Sequence, residues 1–283
     1  MGRESVKRLF KKSEKTYQPF MINRVNVLLW ILCGFILLFL VAPLFVIFPI
    51  SFTSSQYLEF PPRGFSLQWY TKFFETPEWV TSILNSFKIG IMTSFLSVLL
   101  GVPAALVLGR VKFKGKQFIS SFILLPMISP VIITAIALFF YFSKMKLIGS
   151  IYSIVLAHTV LAVPVVVVTV SATLQRFDES LERAAMILGA NRLRTFYKVT
   201  FPLIRSGIFT GALFAFIISF DEVVIALFLS TYISLTYPKH MFSSIRESID
   251  PVIAAASTLL ICFLLLILFL LEILRRREDR LRQ

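Results

Sequence analysis

The sequence predicts an all-α membrane protein with six transmembrane helices and both termini in the cytoplasm. Three observations carry this reading. Apolar residues make up 57% of the 283 residues and charged ones 16%, where soluble domains hold roughly 45–50% and about 25%, and mean hydropathy is +0.82. The apolar residues gather into six runs of the roughly 20 residues that a helix needs to cross the hydrocarbon core. The basic residues gather at alternate ends of those runs.

The runs lie at 27–49, 83–108, 118–142, 148–173, 207–230 and 252–274. They must be helices, because lipid offers no partners to exposed backbone groups. They are too long and too uniformly apolar for the alternation of a membrane β-barrel. Lys7, Arg8, Lys11, Lys12 and Lys15 before the first run resemble the start of a secretory leader. The run from Val27 to Phe48 is 22 residues, however, beyond the roughly 7–15 of a leader core, and Ala42-Pro43 makes no small-residue cleavage site. It is read as a retained span. The plan is then a basic N-terminal segment 1–26, a transmembrane domain 27–274 with a long polar loop at 174–206, and a basic tail 275–283.

Orientation follows from the Lys and Arg count. Residues 1–26 carry seven, 109–117 four, 174–206 six and 272–283 five; the loops 50–82, 143–147 and 231–251 carry two each. By the positive-inside rule the termini and the 174–206 loop are cytoplasmic. The formal charge of +14 is therefore a topology signal. Its partner is the lipid bilayer, and no nucleic acid is predicted. The outer loop 50–82 is rich in aromatics, with Trp69, Tyr70, Phe73, Phe74 and Trp79. It reads either as an aromatic belt at the membrane interface or as a surface that receives a soluble partner.

No catalytic or cofactor chemistry is legible. Gly109 to Gln117, GRVKFKGKQ, lacks the spacing and the hydroxyl of a phosphate-binding loop. His158 and His240 have no metal-ligand spacing, and His158 reads as a buried, hydrogen-bonded histidine. Cys33 and Cys262 sit in apolar runs and imply no disulfide framework. Neither a metal nor a cofactor is predicted, and the chain is not read as an enzyme.

The polar loop is the informative feature. From Asp178 to Arg205 it reads DESLERAAMILGANRLRTFYKVTFPLIR. Asp178 suits a helix N-cap, with Glu179 and Glu182 near the positively polarised end. Leu181, Ala184, Ala185 and Leu188 recur at helical spacing. Gly189 suits the left-handed residue that ends a helix. Leu193, Phe196 and Val199 form a second apolar ridge, and Pro202 suits the start of the next span. On the residues alone, this is a helix–turn–helix that either rests on the membrane interface or receives a soluble partner.

The segment resembles the coupling loop of ABC-importer permeases, a Glu-Ala-Ala box followed at fixed spacing by Gly and then by Ile-x-Leu-Pro. Ala184, Ala185 and Gly189 match, and Val199-Thr200-Phe201-Pro202 closes the motif. Arg183 stands at the motif's Glu position, and the nearest carboxylate, Glu182, is rotated by about 100° from it on a helix. The resemblance implies a type I ABC-importer permease architecture without its own nucleotide-binding motif. It also implies docking of a cytoplasmic ATPase dimer on Glu182, Ala184, Ala185, Gly189 and Pro202. FPPRGFSLQWY at 60–70, ISFDEVVIALFLS at 218–230 and SIDPVIAAASTLL at 248–260 are similar to the spermidine/putrescine branch, and within it to the C-type permease subunit. That implies a second, homologous permease chain, a periplasmic or surface substrate-binding protein, and a bacterial inner-membrane location. Relatives for other organic cations, phosphonate-type compounds or ferric iron share such segments, so another small solute stays open, as does a self-sufficient carrier or channel.

Asp221 and Glu222 fall inside the fifth run, where an ionised carboxylate is costly unless paired or hydrated. Projected on one continuous helix, Gly207, Gly211, Ala215, Ser219, Glu222, Ala226 and Ser230 form a small-residue stripe of the kind that lets helices approach. Glu222 is then expected in a helix–helix seam, paired with a hydroxyl or a basic group. Asp221, about 100° away, is expected on a pathway wall or a partner contact.

Overall fold

The computed structural model describes residues 24–247 and 249–281. Most of the N-terminal basic segment, 1–23, and the last two residues of the tail lie outside the described residues. Every regular element among the described residues is helical. The chain falls into two compact units, Met1–Pro49 and Ile50–Gln283. The first holds the first predicted span as α1 (Arg24–Ile50), with Pro43 and Pro49 inside the helix.

In the second unit a short amphipathic helix, α2 (Gln68–Glu75), precedes α3 (Pro77–Arg110). Then come α4 (Lys116–Ile128), α5 (Val131–Lys144) and α6 (Ile151–Leu174). The polar loop holds α7 (Ser180–Ile187), α8 (Arg192–Thr195) and a π turn (Phe196–Thr200), which runs into α9 (Phe201–Asp221). The chain continues through α10 (Val224–Leu229), α11 (Tyr237–Glu247) and α12 (Val252–Leu281). Four helical stretches are long and apolar enough to cross a membrane singly: Val27–Ile50, Pro77–Arg110, Ile151–Leu174 and Arg192–Asp221. α4 and α5 make a fifth only as a bent pair, and the apolar part of α12 is Val252–Leu266.

Two predicted spans are therefore not straight helices. The 118–142 run turns through 102° between α4 and α5. Pro130 has no N–H to continue the ladder, and its ring forces the preceding residue out of helical conformation; Ser129 accordingly sits at φ −70°, ψ 136°. Pro126 and Pro164 remain inside α4 and α6. The 207–230 run is interrupted at Glu222, extended at φ −73°, ψ 111°.

α3, α6 and α9 form the centre of this unit. In lipid there is little hydrophobic drive between helices, so close contact and interhelical hydrogen bonds must hold them. The predicted stripe supplies the contact: Gly207, Gly211, Ala215 and Ser219 are all buried along α9. A Cβ on Gly207 would fall 2.3 Å from Oγ1 and 2.8 Å from Cβ of Thr173 on α6. Ser94 Oγ on α3 donates to the Ala212 carbonyl of α9 at 2.7 Å. Nδ1 of His158 on α6 lies 2.8 Å from Ser219 Oγ, which donates to Thr93 Oγ1 on α3 at 3.3 Å. His158 is thus the buried, hydrogen-bonded histidine the sequence suggested. Val102 and Ala105 of α3, Val166 and Val170 of α6, and Ile204 and Ala215 of α9 form one buried cluster among the three helices.

At the Trp79 end of α3 a second core gathers Trp69, Phe73, Trp79, Tyr237, Val252 and Ile253. This corrects the belt reading for three aromatics, since Trp69, Phe73 and Trp79 are buried in protein. Trp69 Nε1 donates to the Thr53 carbonyl at 2.7 Å, which gives the indole its polar partner inside. A cleft of about 330 Å³ beside them is lined by Lys72, Glu78, Trp79, His240, Ser244 and Asp250, with Lys72 paired to Asp250. His240 meets Trp79 edge-on at 4.2 Å between ring centroids. Burial pushes its imidazole down from the ordinary value, partly opposed by the charges of Glu78 and Glu247.

Gly207→Leu should destabilise the α6–α9 contact by about 1–3 kcal/mol, the usual cost of overpacking, read as a lowered unfolding temperature in detergent. The depressed His240 value also fixes a direction. Below the ordinary imidazole pKa the unfolded chain takes up a proton that the folded chain refuses, so stability falls as pH drops through that range. Thermal unfolding followed from about pH 7.5 to about pH 5.5 should show this loss, and His240→Gln should make it smaller.

Candidate functional site: the polar loop and the break after Asp221

The loop folds from local signals. Asp178 accepts the Ser180 backbone N–H at 2.9 Å, which opens α7 and, as the largest cause, holds the Asp178 carboxyl below its ordinary range. Gly189 closes the helix at φ +88°. Its N–H donates to the Met186 carbonyl and the Ala190 N–H to the Ala185 carbonyl, both at 3.0 Å, the paired bonds of a Schellman ending. Asn191 Oδ1 then accepts the Arg194 N–H at 2.8 Å and starts α8, a cap that the sequence reading missed although Asn is a preferred cap residue.

From Arg192 to Asp221 the chain is one helical run of 30 residues. Pro202 stands in the first turn of α9, as expected, but α9 continues from α8 and the π turn without a break. Pro202 comes just after the π turn, for which it supplies the cause. Its missing N–H leaves the Lys198 carbonyl without an α-helical donor, and its ring crowds that carbonyl. The ladder widens instead, with the Phe201 N–H reaching back to the Phe196 carbonyl.

The motif residues do not share one surface. Arg183, Ala184 and Gly189 are exposed and Ala185 is half-buried. Ile187 and Leu188 are 85% and 87% exposed at the end of α7. Glu182 turns the other way. One of its carboxylate oxygens accepts the Thr200 hydroxyl at 3.1 Å and lies 3.4 Å from Nη2 of Arg110, whose Nη1 lies 3.3 Å from Glu179. The loop thus presents a face of small and apolar side chains with Arg183 beside them.

The intramembrane carboxylates sit at a helix break and not on one helix, which corrects the projection. Among the described residues Glu222 is paired with neither a hydroxyl nor a base in a seam. Its Oε1 accepts the Ile225 backbone N–H at 3.0 Å and caps α10. Lys239 Nζ donates to the Ser230 carbonyl just past the other end of α10 at 2.8 Å. A carboxylate at the first end and an ammonium at the second both suit the helix dipole. Asp221 is exposed, and among the described residues it has no hydrogen-bond or ion-pair partner. Among the described residues no group of three or more His, Cys, Asp or Glu could hold a metal.

The described residues thus form a helical bundle with a polar hairpin at one end of α3 and an exposed carboxylate at a helix break. This is the plan of the membrane subunit of an importer. Residues 97–280 match the family described as the binding-protein-dependent transport system inner membrane component, and the chain belongs to that family. It is 34% identical over 230 residues to the putrescine transport system permease protein PotI of Escherichia coli K12, covering 79% of this chain and 82% of the relative. It is 28% identical over 241 residues to the spermidine/putrescine permease protein PotC of Haemophilus influenzae, covering 85% and 93%. The fold matches a crystal structure of a bacterial ABC transporter that imports alginate, with a TM-score of 0.73, 17% identity, and 90% of this chain and 98% of that one covered.

Proposed function

We propose that this chain is one of two homologous permease subunits of a polyamine importer in a bacterial cytoplasmic membrane. An ATPase dimer drives it from the cytoplasm, and a periplasmic or surface binding protein delivers spermidine or putrescine. The similarity to polyamine permeases over most of the chain supports the substrate class. The exposed end of α7, with Ala184, Ile187, Leu188 and Gly189 at a fixed turn, supports the docking role.

The cycle follows from these parts. Closure of the ATPase dimer draws the docked hairpins together. Because α8, the π turn and α9 are one helical run, this motion passes into the membrane without a flexible joint. The bundle tilts and opens outward to the binding protein, and hydrolysis returns it. Asp221, exposed and without a partner among the described residues at the end of α9, offers the negative charge that a polyamine ammonium needs on the way. Glu222 is occupied with α10 and serves by fixing the break.

Two variants test the two halves. Gly189→Val places a β-branched residue at positive φ, at a local cost of roughly 1–2 kcal/mol. It should reduce ATPase retention and uptake while membrane insertion is unchanged, measured by co-purification and radiolabelled spermidine uptake; wild-type uptake would count against docking. Asp221→Asn should weaken apparent polyamine affinity by about tenfold, the equivalent of ~1.5 kcal/mol for one charged hydrogen bond. Unchanged uptake at normal expression would remove Asp221 from the pathway.

A further inference from the structure

The two adjacent charges of α7 point to different places, and the inward one has a partner far away in sequence. Arg110 is the last residue of α3, and the chain leaves it away from the polar loop. α7 is joined by backbone only to the end of α6 and, through the Gly189 turn, to α8. Among the described residues, the ion pairs of Arg110 with Glu182 and with Glu179, the N-cap of α7, are the only hydrogen bonds or ion pairs that tie α3 to α7 and its cap. Glu179, the helical-conformation residue just before α7, and Glu182 are three apart and so share one face, and the guanidinium fork reaches one with each terminal nitrogen. The same Glu182 oxygen takes the Thr200 hydroxyl in the π turn. One carboxylate therefore gathers α3, α7 and the root of α9. The side chains of Arg110 and Glu182 are only 20% and 19% exposed, which limits their screening by salt.

We propose that Arg110 is a positioning residue that fastens the docking helix to α3, so that a pull on α7 moves α3 together with α6 and α9. This rests on the docking role of the loop proposed above. The competing account gives Arg110 only the duty of a positive charge at a helix C-terminus. A lysine would serve that duty equally but has no fork.

The test uses the complete transporter purified through this chain, with uptake of radiolabelled spermidine and ATP hydrolysis measured together in vesicles. Arg110→Lys should lower uptake per ATP hydrolysed by about fivefold, within the range of coupling changes from single residues, with the ATPase still bound and hydrolysing. Glu182→Gln should do the same. Because both substitutions break the Arg110–Glu182 link, the double variant should lose less than the product of the two single losses. An unchanged ratio in Arg110→Lys, or losses that multiply in the double variant, would overturn the anchor. So would loss of the ATPase in Glu182→Gln, which would place Glu182 on the docking face. A wild-type preparation without any ATPase would overturn the docking role and the anchor with it; failure of the anchor alone leaves the ATPase in place.

Discussion

A bilayer gives helices no reward for hiding apolar surface from one another, and it gives exposed peptide groups no partners. The mutual approach of α3, α6 and α9 answers the first difficulty, and it depends on α9 showing hydrogen and methyl side chains where its neighbours are bulky. Gly207 against Thr173 is the closest of these contacts. Once the three backbones are near, Ser94, His158, Ser219 and Thr93 can bond across the gap. The bend after Ser129 and the extended Glu222 both leave backbone groups to be satisfied locally, and α10 meets that need with a side chain at each end.

The parts legible in the sequence were those fixed by short-range chemistry. The stripe from Gly207 to Ser219 was visible because helical periodicity holds within α9. The turn at Gly189 was visible because few residues accept a positive φ. The fifth span failed beyond Ser219 because neither Pro nor Gly marks its break, and Glu222 competes for a backbone amide that a helix would have bonded internally. Pro130 did carry a signal, but Pro126 and Pro164 carry the same one without breaking their helices, so residue type alone could not choose among them. Trp69 and Trp79 looked interfacial by composition. Only the arrival of Tyr237 and Val252, far along the chain, makes them core.

The carboxylates of this chain divide by what surrounds them. Glu222 and Glu182 each serve geometry, one at a backbone amide and one at a guanidinium and a hydroxyl. Asp178 serves the start of α7. Asp221 alone among these four has no partner among the described residues, and it is the one we propose for the solute, while the other three hold shape. In the loop, Arg183 occupies the position that carries Glu in the motif it resembles, and Glu182 has been taken inward by Arg110.

The π turn before Pro202 carries one residue more than an α turn would. Thr195 and Thr200, five positions apart, are both buried, although five α-helical steps would set them about 140° apart. The extra residue brings them onto one side and shifts the phase of everything downstream relative to α8. The distance in sequence between Gly189 and Pro202 therefore acts as a rotational setting. It governs the compass direction in which the hairpin faces when the stripe of α9 is seated on α6, and a single insertion there would turn the hairpin while leaving both helices intact.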